Sequence, residues 1–259
     1  MRLNDVKRKL KDGQTSFGTW LNIPSPFSAE RCAKSGLDWL IIDMEHNPIS
    51  IETAAGMIMA VNPTDTAPLV RIPWNHPEHI KRVLDAGAWG VLVPMVCSKE
   101  EAEQAVQAAK YNPAGFRSNG GGRYGISFNA DRNEYTSKAN EQIIVAVQIE
   151  HIDAVNRVDE IMSVDGIDIC FIGPNDLMTS MGMIGKMDME APAVKKALKS
   201  VVETARKYGI TPGIHVGNVA DAARRAKEGF RFIAVSTELN LMLSALNEVE
   251  KSVSRIKAR

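Results

Sequence analysis

Short apolar runs rich in Val, Ile, Leu and aromatic residues recur along the whole chain. Each is followed by a stretch in which apolar residues return every three or four positions. A run without polar alternation suits a strand buried on both faces, and the longer period suits a helix laid against it. Eight such runs predict strands at 17–23, 39–44, 67–72, 90–95, 143–150, 167–173, 210–216 and 232–237. The helices between them carry start signals: Ser25 before Pro26, Ser98 before Lys99-Glu100-Glu101, and Asn218 ahead of Val219-Ala220-Asp221. Several end on glycine, at Gly36, Gly87, Gly209 and Gly229. Strand–helix alternation implies a parallel sheet, and eight units in about 250 residues match an α/β (β/α)8 TIM barrel, expected as one domain over 1–259. A doubly wound open sheet is the alternative, but it calls for a glycine-rich turn after the first strand, and Leu21-Asn22-Ile23-Pro24-Ser25 is not one.

Two connections exceed the rest, about 111–130 and about 177–190. Gly120 to Gly122 in the first lack the Gly-Lys-Ser/Thr ending of a phosphate cradle, so the stretch reads as a mobile or interface loop. The 31 basic and 31 acidic residues cancel, which leaves no bulk field for nucleic acid or an anionic membrane. Any anion must be held locally. Three scattered cysteines, Cys32, Cys97 and Cys170, suggest neither a disulfide framework nor a thiolate zinc site. No secretory h-region or membrane span is evident, and a cytoplasmic enzyme is expected.

In a TIM barrel the chemistry sits at the carboxyl ends of the strands, so polar residues there are informative. That test selects Trp20 from strand 1, then Asp43, Glu45 and His46 after strand 2, and Arg71 at the end of strand 3. It adds Gln148 and Glu150 on strand 5, Asn175 and Asp176 after strand 6, and His215 on strand 7. Glu150 and Asp176 end consecutive strands about 4.8 Å apart, so their carboxylates can converge. Two carboxylates with open positions suit a hard divalent cation, although each could instead cap the helix that follows it. A glycosidase acid–base pair also needs two carboxylates, but the arginine beside them and the 6% of aromatic residues fit it poorly. His46 lies in a polar run ending in Pro48, away from any core, whereas His76, His79 and His151 fall at helix starts and read as surface residues. No lysine occupies a strand or its carboxyl end, which argues against Schiff-base chemistry.

The segments Ile42-Asp43-Met44-Glu45-His46-Asn47-Pro48, Val70-Arg71-Ile72-Pro73, Val93-Pro94-Met95-Val96, Val147-Gln148-Ile149-Glu150 and Phe171-Ile172-Gly173-Pro174-Asn175-Asp176-Leu177 resemble the HpcH/HpaI family of class II pyruvate aldolases, from about residue 14 to 245. The resemblance implies a barrel of the phosphoenolpyruvate/pyruvate type. It also implies reversible cleavage of 4-hydroxy-2-oxo acids into pyruvate and an aldehyde through a metal-bound pyruvate enolate, with Mg²⁺, Mn²⁺ or Co²⁺. By motif, Glu150 and Asp176 would bind the metal, Arg71 would hold the pyruvyl oxygens, and Gln148 would lie beside the substrate. Asp43 and Glu45 would organise metal-bound water, and His46 would be the acid/base residue. The family's orienting aspartate matches Asp85, which ends its helix at the far end of the barrel from His46. It would therefore come from another subunit, implying a homo-oligomer, a hexamer built as a trimer of dimers, with shared active sites. The bland alternative leaves Asp85 as a solvated residue before a glycine cap.

The chain departs from that pattern at Asn175, at Ser118 after Arg117, at His151-Ile152 after Glu150, and at His215, where the family's aldehyde pocket is apolar. Two other functions compete: an acyl-CoA ester lyase on the same barrel, which needs a basic surface for the CoA phosphates, and a non-catalytic keto-acid-binding barrel, which has no use for a proton-transfer residue.

Overall fold

A computed structural model describes residues 1–257, so the last two positions of the expected 1–259 unit lie outside the described residues. All eight predicted strands form: β1 (Ser16–Leu21), β2 (Trp39–Asp43), β3 (Ala67–Arg71), β4 (Gly90–Val93), β5 (Ile144–Ile149), β6 (Ile169–Ile172), β7 (Thr211–Val216) and β8 (Phe232–Thr237). Each pairs in parallel with the next, and β8 closes on β1 to give a continuous barrel. Nearly every strand residue is buried, which is why these runs lack polar alternation.

The helices in chain order are α1 (Asp5–Lys11), α2 (Pro26–Cys32), α3 (Ile51–Val61), α4 (Pro77–Asp85), α5 (Lys99–Ala109), α6 (Tyr124–Phe128) and α7 (Arg132–Gln142). They continue with α8 (Ile152–Asn156), α9 (Val158–Met162), α10 (Pro174–Ser180), α11 (Pro192–Tyr208), α12 (Val219–Glu228) and α13 (Glu238–Lys257). The expected caps are present: Ser25 accepts from the Ser28 N–H, Ser98 forms a reciprocal capping box with Glu101, and Asn218 accepts from the Asp221 N–H. Gly209 and Gly229 end α11 and α12 at φ +69° and +110°, a region that costs other residues strain.

Aromatic side chains fill the interior in a ladder. Trp39 stacks on Phe232 at 3.8 Å between centroids, Phe232 meets Phe171 edge-on, and Phe171 meets Trp20 in the same way at the mouth. The close approach that this requires is visible at Gly18, where a Cβ would lie 2.2 Å from the Trp39 ring. At the amino-terminal end, α1 closes the barrel: the buried Lys7 ammonium donates to the Ile143 carbonyl at 2.7 Å and pairs with Asp168 at 2.9 Å.

The 111–130 connection is tied down more firmly than its glycines suggested. Arg123 donates its backbone N–H to the Asp85 carbonyl, the Tyr124 hydroxyl reaches Gly120, and Tyr124 stacks on Tyr135 at 4.1 Å. The last helix behaves differently. After Glu238, α13 stands away from the barrel with its residues exposed, and Met242, Leu246, Val249, Val253 and Ile256 form an apolar row at alternating four- and three-residue spacing. Such a seam normally meets another helix. No helix is long and apolar enough to cross a membrane among the described residues.

Candidate active site

The carboxyl ends of the strands form one polar mouth, and register decides which groups meet there. β2 and β3 pair so that Asp43 stands opposite Arg71. The two join in a bidentate ion pair, Nε to Oδ1 and Nη2 to Oδ2, both 2.8 Å, with Asp43 fully buried and Arg71 nearly so. Asp43 also accepts from the Glu45 backbone N–H and the Asn47 amide. Glu45 places Oε2 3.1 Å from Arg71 Nη1, close enough to pair yet without hydrogen-bond alignment. His46 lies 3.5 Å from the same carboxylate and is the most exposed of the group, at 58%. The Arg71 guanidinium lies 4.4 Å over the Trp20 ring, and Trp20 Nε1 donates to His215 Nδ1 at 3.0 Å.

The opposite wall is built from β5 and β6. Gln148 and Glu150 are two residues apart, so both side chains face the same side of the sheet. Gln148 Nε2 donates to Glu150 Oε2, and the Met95 backbone N–H donates to Oε1 at 2.8 Å. Met95 makes that contact in a left-handed conformation, φ +52°, which is rare for a residue with a side chain. Gly173 lies against the same carboxylate: a Cβ there would sit 2.3 Å from Glu150 Oε2 and 2.7 Å from Gln148 Nε2. Asp176 is in the first turn of α10 and exposed.

A cavity of about 220 Å³ occupies the mouth. Of the sequence-predicted residues, Trp20, Asp43, His46, Arg71, Gln148, Asn175, Asp176 and His215 line it. Glu150 and Glu45 lie behind that surface: Glu150 packs against Gly173 and Gln148, and Glu45 against Arg71. Asp85 is elsewhere. α4 runs from the mouth to the amino-terminal end of the barrel, where Asp85 accepts from the fully buried Arg117 at 2.9 Å. Arg117 is itself enclosed by Tyr111 and Tyr135. His76 and His151 cap helix starts as exposed or half-exposed residues.

Sequence reasoning missed three groups that hold the mouth together. Asn47 lies inside the polar run after strand 2, yet no local pattern marks it as a support for Asp43. Glu238, immediately after β8, accepts from the backbone N–H groups of Asn22 and Ile23 and so staples the β1 loop to the strand that closes the barrel. The strand-end test, applied to β8, finds it. Met95 carries no such signal, because its contact is made by backbone.

Charge sets the chemistry of this mouth. Burial drives the Glu150 carboxyl up to about 7 against the opposing Met95 N–H, with Glu45, next in weight, adding to the rise. Burial likewise raises Glu45, with Arg71 and His46 opposing it. Burial and then the Arg71 cation lower His215 to about 4. Four carboxylates, Asp43, Glu45, Glu150 and Asp176, therefore face a single guanidinium. Among the described residues no three His, Cys, Asp or Glu groups form a complete metal cage. A site with two carboxylates, an unpartnered buried Gln148 Oε1 and excess negative charge nevertheless fits a hard cation that keeps open positions.

The family model described as HpcH/HpaI aldolase/citrate lyase matches residues 16–245. A 4-hydroxy-2-oxo-heptane-1,7-dioate aldolase of Shigella sonnei is 39% identical over 242 residues, covering 93% of this chain and 92% of that protein. The crystal structure of an HpcH/HpaI aldolase/citrate lyase family protein from Burkholderia cenocepacia superposes with a TM-score of 0.90 at 33% identity, covering 97% and 99% of the two chains. That of an HpcH/HpaI aldolase from Desulfitobacterium hafniense gives 0.88 at 30% identity, with 95% of each chain covered.

The geometry at Gly173 predicts that Gly173→Ala displaces Glu150 and Gln148 together. Overpacking should lower stability by about 1–3 kcal/mol, read as the midpoint of urea unfolding. Glu150 also sets a pH dependence. In chelator-treated protein the folded state retains a proton near pH 6 that the unfolded chain has lost, because the folded pKa of about 7 exceeds the usual 4.5. Stability is therefore highest below about pH 4.5 with respect to this group and falls as pH rises to about 7, by an amount on the order of 3 kcal/mol. Glu150→Gln should remove that fall in denaturation series at pH 5 and 8.

Proposed function

The chain belongs to the HpcH/HpaI aldolase/citrate lyase family, and from that membership we propose that it cleaves a 4-hydroxy-2-oxo acid reversibly into pyruvate and an aldehyde. It is a carbon–carbon lyase of the class II aldolase type. One observation carries the fuller reading: buried Glu150 lies just behind a mouth that Asp176 lines, and the one guanidinium there is already shared by Asp43 and Glu45. Enzymes of this family are metal-dependent in general, and Glu150 with Asp176 would hold Mg²⁺, Mn²⁺ or Co²⁺ here. When bound, the cation supplies Lewis-acid polarisation of the 2-oxo group.

The protein's own groups do the rest. Arg71 keeps N–H donors on Nη1 and Nη2 beyond those that Asp43 takes, and these orient the pyruvyl carboxylate. Asp43 fixes the guanidinium plane in which those donors point, and Glu45 with Asp43 offers acceptors to ordered water. Gln148 holds Glu150 in place, and its own buried Oε1 is left without a partner. His46 takes the 4-hydroxyl proton, the C3–C4 bond breaks, and its electron pair passes to the pyruvyl fragment, which is then protonated at C3. An imidazole suits that exchange because its ordinary pKa lies near neutrality.

We also propose a homo-oligomer with shared active sites. Two features support it: the uncovered apolar row on α13, and the placement of Asp85, which Arg117 presents at the end of the barrel opposite His46. A second copy brings α13 a partner and can bring its Asp85 to this His46.

Exchange of the pyruvate methyl protons with D₂O, followed by NMR, tests the aldolase chemistry without knowledge of the aldehyde. Exchange should require Mg²⁺, Mn²⁺ or Co²⁺, and Glu150→Gln, which removes a charged ligand, should abolish it; no exchange with any of the three metals would refute the reading. For the assembly, a Leu246→Asp/Val249→Asp variant should sediment as a smaller species than the wild type. Mixed, co-refolded His46→Ala and Asp85→Ala copies should recover activity that neither has alone.

A further inference from the structure

The mouth cavity adjoins a second one of about 210 Å³, and the two share Pro174, Asn175 and His215 in their walls. Metal-side residues occupy the first; the second has a partly apolar wall of Met178, Met189 and Val216 and a charged end at Asp221, Arg224 and Arg225. His215 stands at the junction, and its protonation state is fixed by its neighbour. Indole N–H is a donor only, so His215 Nδ1, 3.0 Å from Trp20 Nε1, must be the acceptor and the ring's proton must sit on Nε2. A second proton on Nδ1 would face the indole hydrogen. Trp20 cannot turn away easily, being held by Phe171 at its edge and by Arg71 over its face. Burial and the Arg71 cation also favour the neutral ring. Nε2–H has no protein acceptor among the described residues.

The charged end of the second cavity is already balanced. Arg224 pairs with Glu190 and Asp221, both at 2.6 Å. Arg225, almost fully buried, pairs with Glu228 at 2.7 Å and Glu190 at 3.4 Å, and Lys195 completes the set at 2.8 Å from Glu190. Three cations meet three carboxylates, so there is no surplus positive charge to receive an anionic tail. Resting on the aldolase reading of the mouth, we propose that the aldehyde-derived end of the substrate runs past His215 into this second cavity and is uncharged and hydroxylated, its hydroxyl accepting from His215 Nε2–H and meeting the Asn175 amide. The relative from Shigella sonnei is named for a substrate with a second carboxylate; this chain is built for a different tail.

The test compares kcat/KM for aldol addition of pyruvate to glyceraldehyde, butyraldehyde and succinic semialdehyde, with a divalent metal that supports methyl-proton exchange. The wild type should prefer glyceraldehyde to both others by about tenfold or more, the order that one neutral hydrogen bond contributes. His215→Leu should lower the glyceraldehyde-to-butyraldehyde ratio about tenfold, and His215→Gln, which retains a donor, should restore part of it. Preference of the wild type for succinic semialdehyde, or equal losses for all aldehydes in His215→Leu, would overturn the proposal. Intact methyl-proton exchange alongside that result leaves the aldolase reading standing; absent exchange brings both down.

Discussion

Burying a guanidinium at the mouth of a barrel is the constraint on which the rest of this site turns. An arginine in low dielectric needs a carboxylate in good geometry, and the β2–β3 register supplies one directly opposite in Asp43. Its consequences run in two directions. On one side the fixed guanidinium pins the Trp20 ring, and Trp20 in turn fixes the tautomer of His215. On the other, Arg71 is committed to Asp43 and Glu45, so its charge does little for Glu150 and Asp176. Glu150, desolvated and uncompensated, rises to about 7. The same ion pair thus makes one half of the mouth electrically satisfied and leaves the other half short of a cation.

The barrel makes such an arrangement affordable. The Glu150 carboxylate is held by a left-handed Met95 and packed against Gly173, and a backbone of that kind persists only where the surroundings leave no alternative. The aromatic ladder from Trp39 and Phe232 to Phe171 and Trp20 supplies that rigidity, since its top rung is also a wall of the active cavity. Core and site are therefore one packing problem. Truncating Phe171 would disturb Trp20, and through it both Arg71 and His215.

Much of this was legible in the sequence because parallel barrel strands write themselves as uninterrupted apolar runs. A polar residue that interrupts or ends such a run then stands out, as Asp43, Arg71, Gln148 and Glu150 do. Helix starts were legible for the same local reason: the cap and the N–H groups that it satisfies lie within three residues of each other. What could not be read depends on contacts between distant segments. Asp85 looks like a solvated residue before a glycine, yet Arg117, 32 positions on, claims it from a pocket of tyrosines. The connection around Gly120 reads as loose, but its order comes from Asp85 and Tyr135, which no local pattern announces. Glu150 and Asp176 look equivalent as strand-end acids. They are not: Glu150 directly follows its strand and is buried, whereas Asp176 lies a helical turn further on and faces solvent.

Charge balance over the whole chain conceals two opposite local designs. At the mouth, four acidic side chains share one arginine, and burial raises Glu150 and Glu45 in response. A few residues away, Glu190 gathers Arg224, Arg225 and Lys195 into a cluster whose charges cancel. Had the second cavity evolved to grip an anion, leaving Arg224 unpaired would have been the simplest device; instead two acids hold it. Between the imbalance and the balance stands His215, neutral, oriented, and able to offer one hydrogen. The carbon–carbon bond that breaks would lie at that boundary, with the reactive oxygens on the charged side and the hydroxylated tail on the neutral one.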